Sequence, residues 1–284
     1  MGSFTIIPRG PFTLASAARF IAGWPAAAGA GVAGDEVRLA FLADDWSGHA
    51  GVVLRERDGV VHGEIAAEST ATDADRVIAQ AARIVSLDHD GTGYAELGER
   101  DAVVGALQRA SGYLRPVLFH SPYEAACWSV ISARIQHAQA AKTRDALSAE
   151  HGGRLTLAGE PRVTFPAPEA LLAVDAFPGL PVNKLERLHG IARAALEGRL
   201  DREALLAAEP AAATAQLLEL KGIGPFYAGL ILLRAVGTTD VLATGEPRLR
   251  AKAAEHYGDA PLEQIAEGWR PFRTWVSVLL RAAG

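Results

Sequence analysis

Leu217-Leu218-Glu219-Leu220-Lys221-Gly222-Ile223-Gly224-Pro225-Phe226-Tyr227-Ala228-Gly229-Leu230 reads as a helix end, a tight glycine turn and a new helix start. Leu217, Leu218 and Leu220 form the apolar side of the first helix. Gly222 and Gly224 bracket Ile223, so the backbone can turn sharply and approach a partner closely. Pro225 suits a first helical turn, where its missing N–H costs nothing. The second helix runs through Ile231, Leu232, Leu233 and Val236 and stops at Gly237. Amides at such a turn face outward at a positive helix end, which is a ready phosphate site. A lone G-x-G also fits a plain helix-hairpin connection. The order of the stretch adds to it, because Glu246 opens a further helix, followed by Arg248, Arg250 and Lys252.

Outward from this turn, the C-terminal two thirds read as helices and the N-terminal third as mixed. Residues 3–8 alternate like a strand, and Val37–Ala43, Gly51–Arg55 and Val60–Ile65 read as strands, with Asp58-Gly59 as a hairpin turn. Pro11–Trp24 and Thr72–Leu87 are amphipathic, with Thr72 as the expected cap of the second. Strand signals nearly vanish after Tyr94. Helices are expected over Glu96–Ala110 and from Pro122 toward Glu150. Ser121 caps the latter, with Pro122 first and Glu124 completing a capping box. Short helices follow at 168–174, 181–197, 201–208, 212–220, 246–257, 261–267 and 271–282. The expected architecture is α+β: a small α+β domain over 1–90, then an all-α domain over 91–284.

The 284 residues suffice for a large core and one or two domains. No apolar run reaches the roughly 20 residues that span a bilayer. The N-terminus lacks an apolar signal region, so a cytoplasmic protein with no membrane partner is expected. Cys127 is the only cysteine. Disulfides, thiolate zinc sites and cysteine-held iron–sulfur clusters are therefore excluded within one chain, and no metal site is expected. Net charge is −5, but it is uneven: residues 1–100 carry 8 Lys+Arg against 14 Asp+Glu, and the remainder 20 against 19. The glycine-turn half can therefore carry a local positive face.

The order of these residues resembles the helix-hairpin-helix base-excision DNA glycosylases, specifically the 3-methyladenine DNA glycosylase II branch. The resemblance runs through Ala82–Asp88, Ser121-Pro122-Tyr123-Glu124-Ala125, Gly179–Lys184, Leu220–Gly224 and Trp269–Arg273. It implies a TBP-like N-terminal α+β domain, a two-lobed helical domain with the cleft between lobes, and duplex DNA with a damaged base as partner; no sequence feature suggests an oligomer, so a monomer is expected. The implied reaction is hydrolysis of the N-glycosidic bond of a flipped alkylated base. Cleavage develops positive charge on the sugar, which a nearby carboxylate stabilises.

The family's aspartate position falls on Glu246, a departure of one methylene; read locally, Glu246 also fits a helix N-terminal carboxylate. Asp240 is read as structural. Phe226 stands where lyase members carry a nucleophilic lysine, so the resemblance implies a monofunctional enzyme. Arg134 falls at the position of the duplex-inserting side chain, and Ala133 replaces the usual glutamine before it. Trp128, Phe226, Tyr227 and Tyr123 are the base-pocket candidates, and Arg281 replaces the C-terminal pocket tryptophan. Lys221, Gly222, Ile223, Gly224, Phe226, Arg248 and Arg250 are the backbone binders. No cofactor is expected beyond a monovalent cation on the hairpin carbonyls in the DNA complex. Two other readings stay open: a homologue that binds damaged or distorted DNA without catalysis, and a helical interaction scaffold without DNA.

Overall fold

A computed structural model describes residues 2–27, 30–34, 36–243 and 245–282. The N-terminal third forms a five-stranded antiparallel sheet in the order β1-β5-β4-β3-β2, from β1 (Ser3–Ile6), β2 (Ala30–Ala33), β3 (Glu36–Leu42), β4 (His49–Arg57) and β5 (Val60–Ile65). Asp58 and Gly59 both take positive φ, as the two-residue hairpin between β4 and β5 requires. Helices α1 (Leu14–Ala22) and α2 (Ala74–Ile84) cover one face, burying Leu14, Ile21, Val77, Ala81 and Ile84 against Val37, Leu39, Val52 and Leu54. The cap of α2 is Asp73, whose carboxylate accepts from Arg76 N at 3.1 Å, rather than Thr72.

The helical remainder departs from the sequence reading in three places. The single helix expected over 96–110 is two, α3 (Thr92–Arg100) and α4 (Ala102–Ser111). Asp101 separates them because its carboxylate caps α4, accepting from Val103 N and Val104 N, and also accepts from Tyr257 Oη and Trp269 Nε1. The helix expected from 122 toward 150 is also two, α5 (Pro122–Ser132) and α6 (His137–His151), broken where Arg134 takes φ +60°. Between α6 and the next helix lies a hairpin that the strand reading missed, β6 (Arg154–Leu157) paired with β7 (Glu160–Val163). Leu155 and Leu157 bury against Ala40 and Val53 on the face of the sheet that α1 and α2 leave open. Tertiary burial outweighs the weak local strand preference there.

The other helices are α7 (Pro168–Leu172), α8 (Val182–Leu196), α9 (Arg202–Ala207), α10 (Pro210–Leu218), α11 (Pro225–Ile231), α12 (Pro247–Tyr257), α13 (Leu262–Glu267) and α14 (Arg273–Ala282). They gather around two apolar clusters. One joins α5, α8, α10 and α11 through Ala125, Val130, Leu188, Ile191, Leu217 and Ile231. The other joins α3, α4, α12, α13 and α14 through Tyr94, Leu97, Val104, Leu249, Trp269 and Trp275. Trp269 and Trp275 are packing residues, at 0% and 1% exposure.

Arg115 ties this assembly to the sheet side. Its guanidinium donates to the carbonyls of Arg9, Gly10, Pro11, Ser86 and His89 and lies 5.5 Å from the Phe12 ring and 5.4 Å from that of Trp275. Burial draws its pKa down to about 10, so it stays charged at neutral pH. Ser121 caps α5 as expected, accepting from Glu124 N. The Glu124 carboxylate does not close a capping box; it turns to His120 Nδ1 at 3.3 Å.

Candidate active site

The glycine turn joins α10 to α11. Leu217 and Ile223 are buried beneath it, and Ile223 N donates to Leu220 O at 2.9 Å to close the bend. Gly222 has φ +103°, and a β-carbon there would come within 2.9 Å of Arg187 Cδ and 3.5 Å of Val130 Cγ2. Gly222 is thus required by both backbone sign and space. At Gly224 a β-carbon would meet nothing within 4 Å. Its bare backbone is free for an outside partner. Lys221 and Phe226 are exposed, Phe226 at 55%. Ile223 can offer a partner only its backbone.

Beside the turn, Lys184 Nζ donates to Ile131 O at 2.7 Å and Ala133 O at 2.9 Å. This cation satisfies carbonyls at the end of α5 and fixes the short loop in which Arg134 protrudes. Burial, and then Arg187, lower the Lys184 pKa. Lys184, Arg187, Lys221 and Arg134 thus lie on neighbouring elements around one turn.

Helix α11 does not run on as an α-helix to Gly237. Leu232–Val236 is a π-turn that ends at Gly237 with φ +82°. Such a turn re-aims side chains relative to a regular helix. It places Arg234 so that Nε and Nη2 both donate to Val117 O, the former at 3.1 Å. The guanidinium stacks 4.3 Å from the Trp24 ring centroid and 5.0 Å from that of Phe20, both on or just after α1. Removal from water brings its pKa down to about 9; Arg281 lowers it further and Glu246 raises it. The charges of Arg234, Arg281 and Glu246 therefore act on one another.

Glu246 sits at the N-terminal cap position of α12, but its side chain makes no capping bond. It is ion-paired with Arg281 of α14, the glutamate side chain at 14% exposure and the arginine at 37%. Two of the positions that depart from the glycosylase pattern in sequence, Glu246 and Arg281, are in direct contact. Asp240 is occupied elsewhere: Arg273 Nε donates to Oδ1 at 2.7 Å and Arg270 Nη1 to Oδ2 at 2.9 Å, which fastens the loop before α12 to α14.

No protein-family model matches the chain. It is 29% identical over 154 residues, 53% of its length, to a DNA-3-methyladenine glycosylase of Bacillus subtilis. That match spans 51% of the relative, so it reaches about half the length of the curated protein. Its structure superposes with a TM-score of 0.75 on a 3-methyladenine DNA-glycosylase from Archaeoglobus fulgidus, covering 98% of this chain and 97% of that one at 18% identity. A Clostridium acetobutylicum 8-oxoguanine glycosylase/lyase, in complex with double-stranded DNA containing cytosine opposite 8-oxoG, gives a TM-score of 0.61 over 83% of this chain and 84% of its own at 15% identity. The fold is that of the helix-hairpin-helix DNA glycosylases.

Within this glycosylase fold the predicted residues divide. Glu246, Arg248 and Arg250 share α12 or its start, with Arg248 exposed and Arg250 paired to Glu263. Phe226 and Tyr227 pack edge-to-face at 5.3 Å on the surface of α11. Tyr123 and Trp128 belong to the core of the helical lobe, at 0% and 5% exposure. Tyr123 Oη donates to Pro166 O, and its ring meets Phe165 and Trp46. Trp128 is covered by the Arg144 guanidinium at 5.2 Å. The aromatic surface beside the charged group that includes Glu246 comes instead from Phe20 and Trp24, through Arg234, and sequence reasoning had passed over all three. The one available signal was an arginine inside the apolar run Ile231–Val236.

Proposed function

We propose that the chain is a monofunctional DNA glycosylase that hydrolyses the N-glycosidic bond of a damaged base flipped out of duplex DNA. Alkylated bases are the class that the relatives' names point to. One observation carries this reading: Glu246, at the start of the helix beyond the hairpin, keeps its carboxylate free of capping bonds and directed to the Arg281 side. Bond breaking leaves positive charge on the sugar; a carboxylate fixed in a water-poor site opposes it and orients the attacking water. The amides at Gly222 and Gly224 with Lys221 and Arg187 beside them, and Arg248 and Arg250 on α12, are taken as the surface for the phosphate backbone, and Arg134 as the side chain that enters the vacated stack. Phe226 offers no amine for a lyase step.

The same reading takes 1–90 as a TBP-like domain, 91–284 as the glycosylase domain, and a monomer on DNA. The backbone carbonyls of the turn at 220–223 are neutral hard oxygens, the donor type that suits a monovalent cation bridging turn and phosphate. Among the described residues no cluster of three His, Cys, Asp or Glu could hold a metal. Among them also, no helix is long and apolar enough to cross a membrane.

The test is release of free base from methylated duplex DNA by the purified protein, with Glu246→Gln slowing it by on the order of 100-fold. A second reading, a lesion-binding homologue without catalysis, is favoured by the Arg281 pair, which offsets the charge of Glu246. It prevails if wild type binds DNA in a salt-dependent way, releases nothing, and Glu246→Asp creates activity.

A further inference from the structure

The loop between α5 and α6 carries the side chain that the glycosylase reading sends into the duplex. Residues 134–139 are exposed, and Ala133 brings no polar side chain to hold them. The loop's own backbone contributes a long hydrogen bond, Ile135 N to Ser132 O at 3.3 Å. Yet Arg134 keeps φ +60°, a conformation that a residue with a β-carbon leaves readily unless its surroundings fix it.

The anchor is Lys184, in the first turn of α8. Its Nζ donates to Ile131 O in α5 at 2.7 Å and to Ala133 O in the loop at 2.9 Å. The Ala133 carbonyl and the Arg134 amide share one planar peptide. Rotating that plane changes ψ of Ala133 and φ of Arg134, so a cation that holds Ala133 O also holds Arg134 in the left-handed region. The carbonyl end of α5 supplies the negative potential that suits an ammonium group. One turn further along α8, Arg187 lies against the hairpin: a β-carbon on Gly222 would come within 2.9 Å of its Cδ and 3.5 Å of Val130 Cγ2 on α5. Residues three apart share a helix face. One face of α8 therefore braces both the glycine turn and the α5–α6 loop.

We propose that Lys184 is a positioning residue: from α8 it sets the backbone angle of Arg134, and with it the spacing between the inserting side chain and the phosphate-binding turn, without itself touching DNA. The proposal rests on the glycosylase reading and adds to it how a damaged site is told from an intact one. Phosphate contacts hold any duplex alike. Insertion costs least where a base has already left the stack. A group that fixes the inserting side chain therefore acts on preference for the damaged site and leaves general affinity alone.

The experiment is fluorescence anisotropy on two short duplexes, one intact and one holding a stable abasic-site analogue, together with single-turnover base release from methylated duplex. Wild type is compared with Lys184→Met, Lys184→Arg, Arg134→Gly and the Lys184→Met/Arg134→Gly double variant. Lys184→Met is expected to lower both the preference for the abasic duplex and the rate of base release by about 10-fold, with affinity for intact duplex within about 2-fold of wild type. Lys184→Arg, which keeps the charge and the donors, should restore most of the preference. In the Arg134→Gly background Lys184→Met should cost nothing further, because the two residues act as one unit. Equal loss on both duplexes with a shallower salt dependence makes Lys184 a phosphate contact. A lower melting temperature with the preference kept, or additive losses in the double variant, makes it an ordinary packing residue. Each of these results overturns the proposal and leaves the glycosylase reading standing. Should Lys184→Met fail to fold, Lys184→Gln, which keeps a donor, decides by the same ratio. A wild type that binds both duplexes alike and releases no base overturns both.

Discussion

The carboxylate of Glu246, which opens α12, is ion-paired with the guanidinium of Arg281 at the end of α14, and the pair lies within electrostatic reach of Arg234. In the proposed reaction this carboxylate would work by its charge, which makes its partner part of the test. Glu246→Gln is expected to slow base release by on the order of 100-fold, the usual effect of removing one fixed electrostatic group. Arg281→Met should cost about 1–2 kcal/mol, because it leaves the largely buried Glu246 carboxylate without its partner. The double mutant should be strongly non-additive in rate. Single-turnover kinetics and thermal melts on the four proteins check this.

The two glycines of the hairpin should separate folding from binding. Gly222→Ala forces a β-carbon into φ +103° and toward Arg187, and is expected to cost about 1–2 kcal/mol of stability. Gly224 has open space at the same place. Gly224→Ala should melt within about 0.5 kcal/mol of wild type. It should nevertheless lose DNA affinity, because the new methyl stands between amide and phosphate. Denaturant titration and fluorescence anisotropy on a short duplex give the two readouts.

Arg134 holds φ +60° in the loop after α5, a conformation that a side chain other than glycine adopts at a cost of about 1 kcal/mol or more. Arg134→Gly is therefore expected to keep or raise the melting temperature while lowering affinity for lesion-containing duplex. An Arg134→Gly protein with unchanged affinity would make Arg134 an ordinary surface residue.

Arg234 predicts a pH limb. Burial draws its pKa down to about 9 in the folded protein, well below the ordinary range of arginine. Base release should fall as pH rises through about 9, and that limb should be missing in Arg234→Met. For stability the sign is opposite. The unfolded chain holds this proton more tightly, so above about pH 9 unfolding takes up a proton and this group makes the fold more stable as pH rises. Rate profiles and melts of the two proteins across pH 7–10 check both directions.

Arg115 should be the costliest surface-independent arginine to remove. It donates to five carbonyls drawn from 9–11 and 86–89. Arg115→Met leaves several of them without a partner and is expected to cost about 3 kcal/mol or more. Urea unfolding measures it.

Local patterns reached far into this protein. Alternation marked β1, short apolar runs marked β3, β4 and β5, and Asp58-Gly59 marked the β4–β5 hairpin, because strands and two-residue turns each demand particular residue types. Prolines at first helical positions located α5, α7 and α11 to within a few residues. The helix-hairpin-helix order was legible for the same reason: Gly222 answers a backbone requirement that acts over a few residues. Breaks decided by distant partners were not legible. Asp101 divides α3 from α4 while also holding Tyr257 and Trp269. The β6–β7 hairpin is strand because a bare sheet face needed Leu155 and Leu157.

The sequence by itself thus determined the α+β order and the glycine turn, both of them matters of local backbone chemistry, and the family resemblance pointed to the carboxylate of Glu246. The tertiary structure alone decided what surrounds that carboxylate. It brought Arg281 from 35 residues away to pair with it, and a π-turn swung Arg234 onto Trp24 and Phe20 from the other end of the chain. Charges act through space, and no spacing along the chain records which of them will meet.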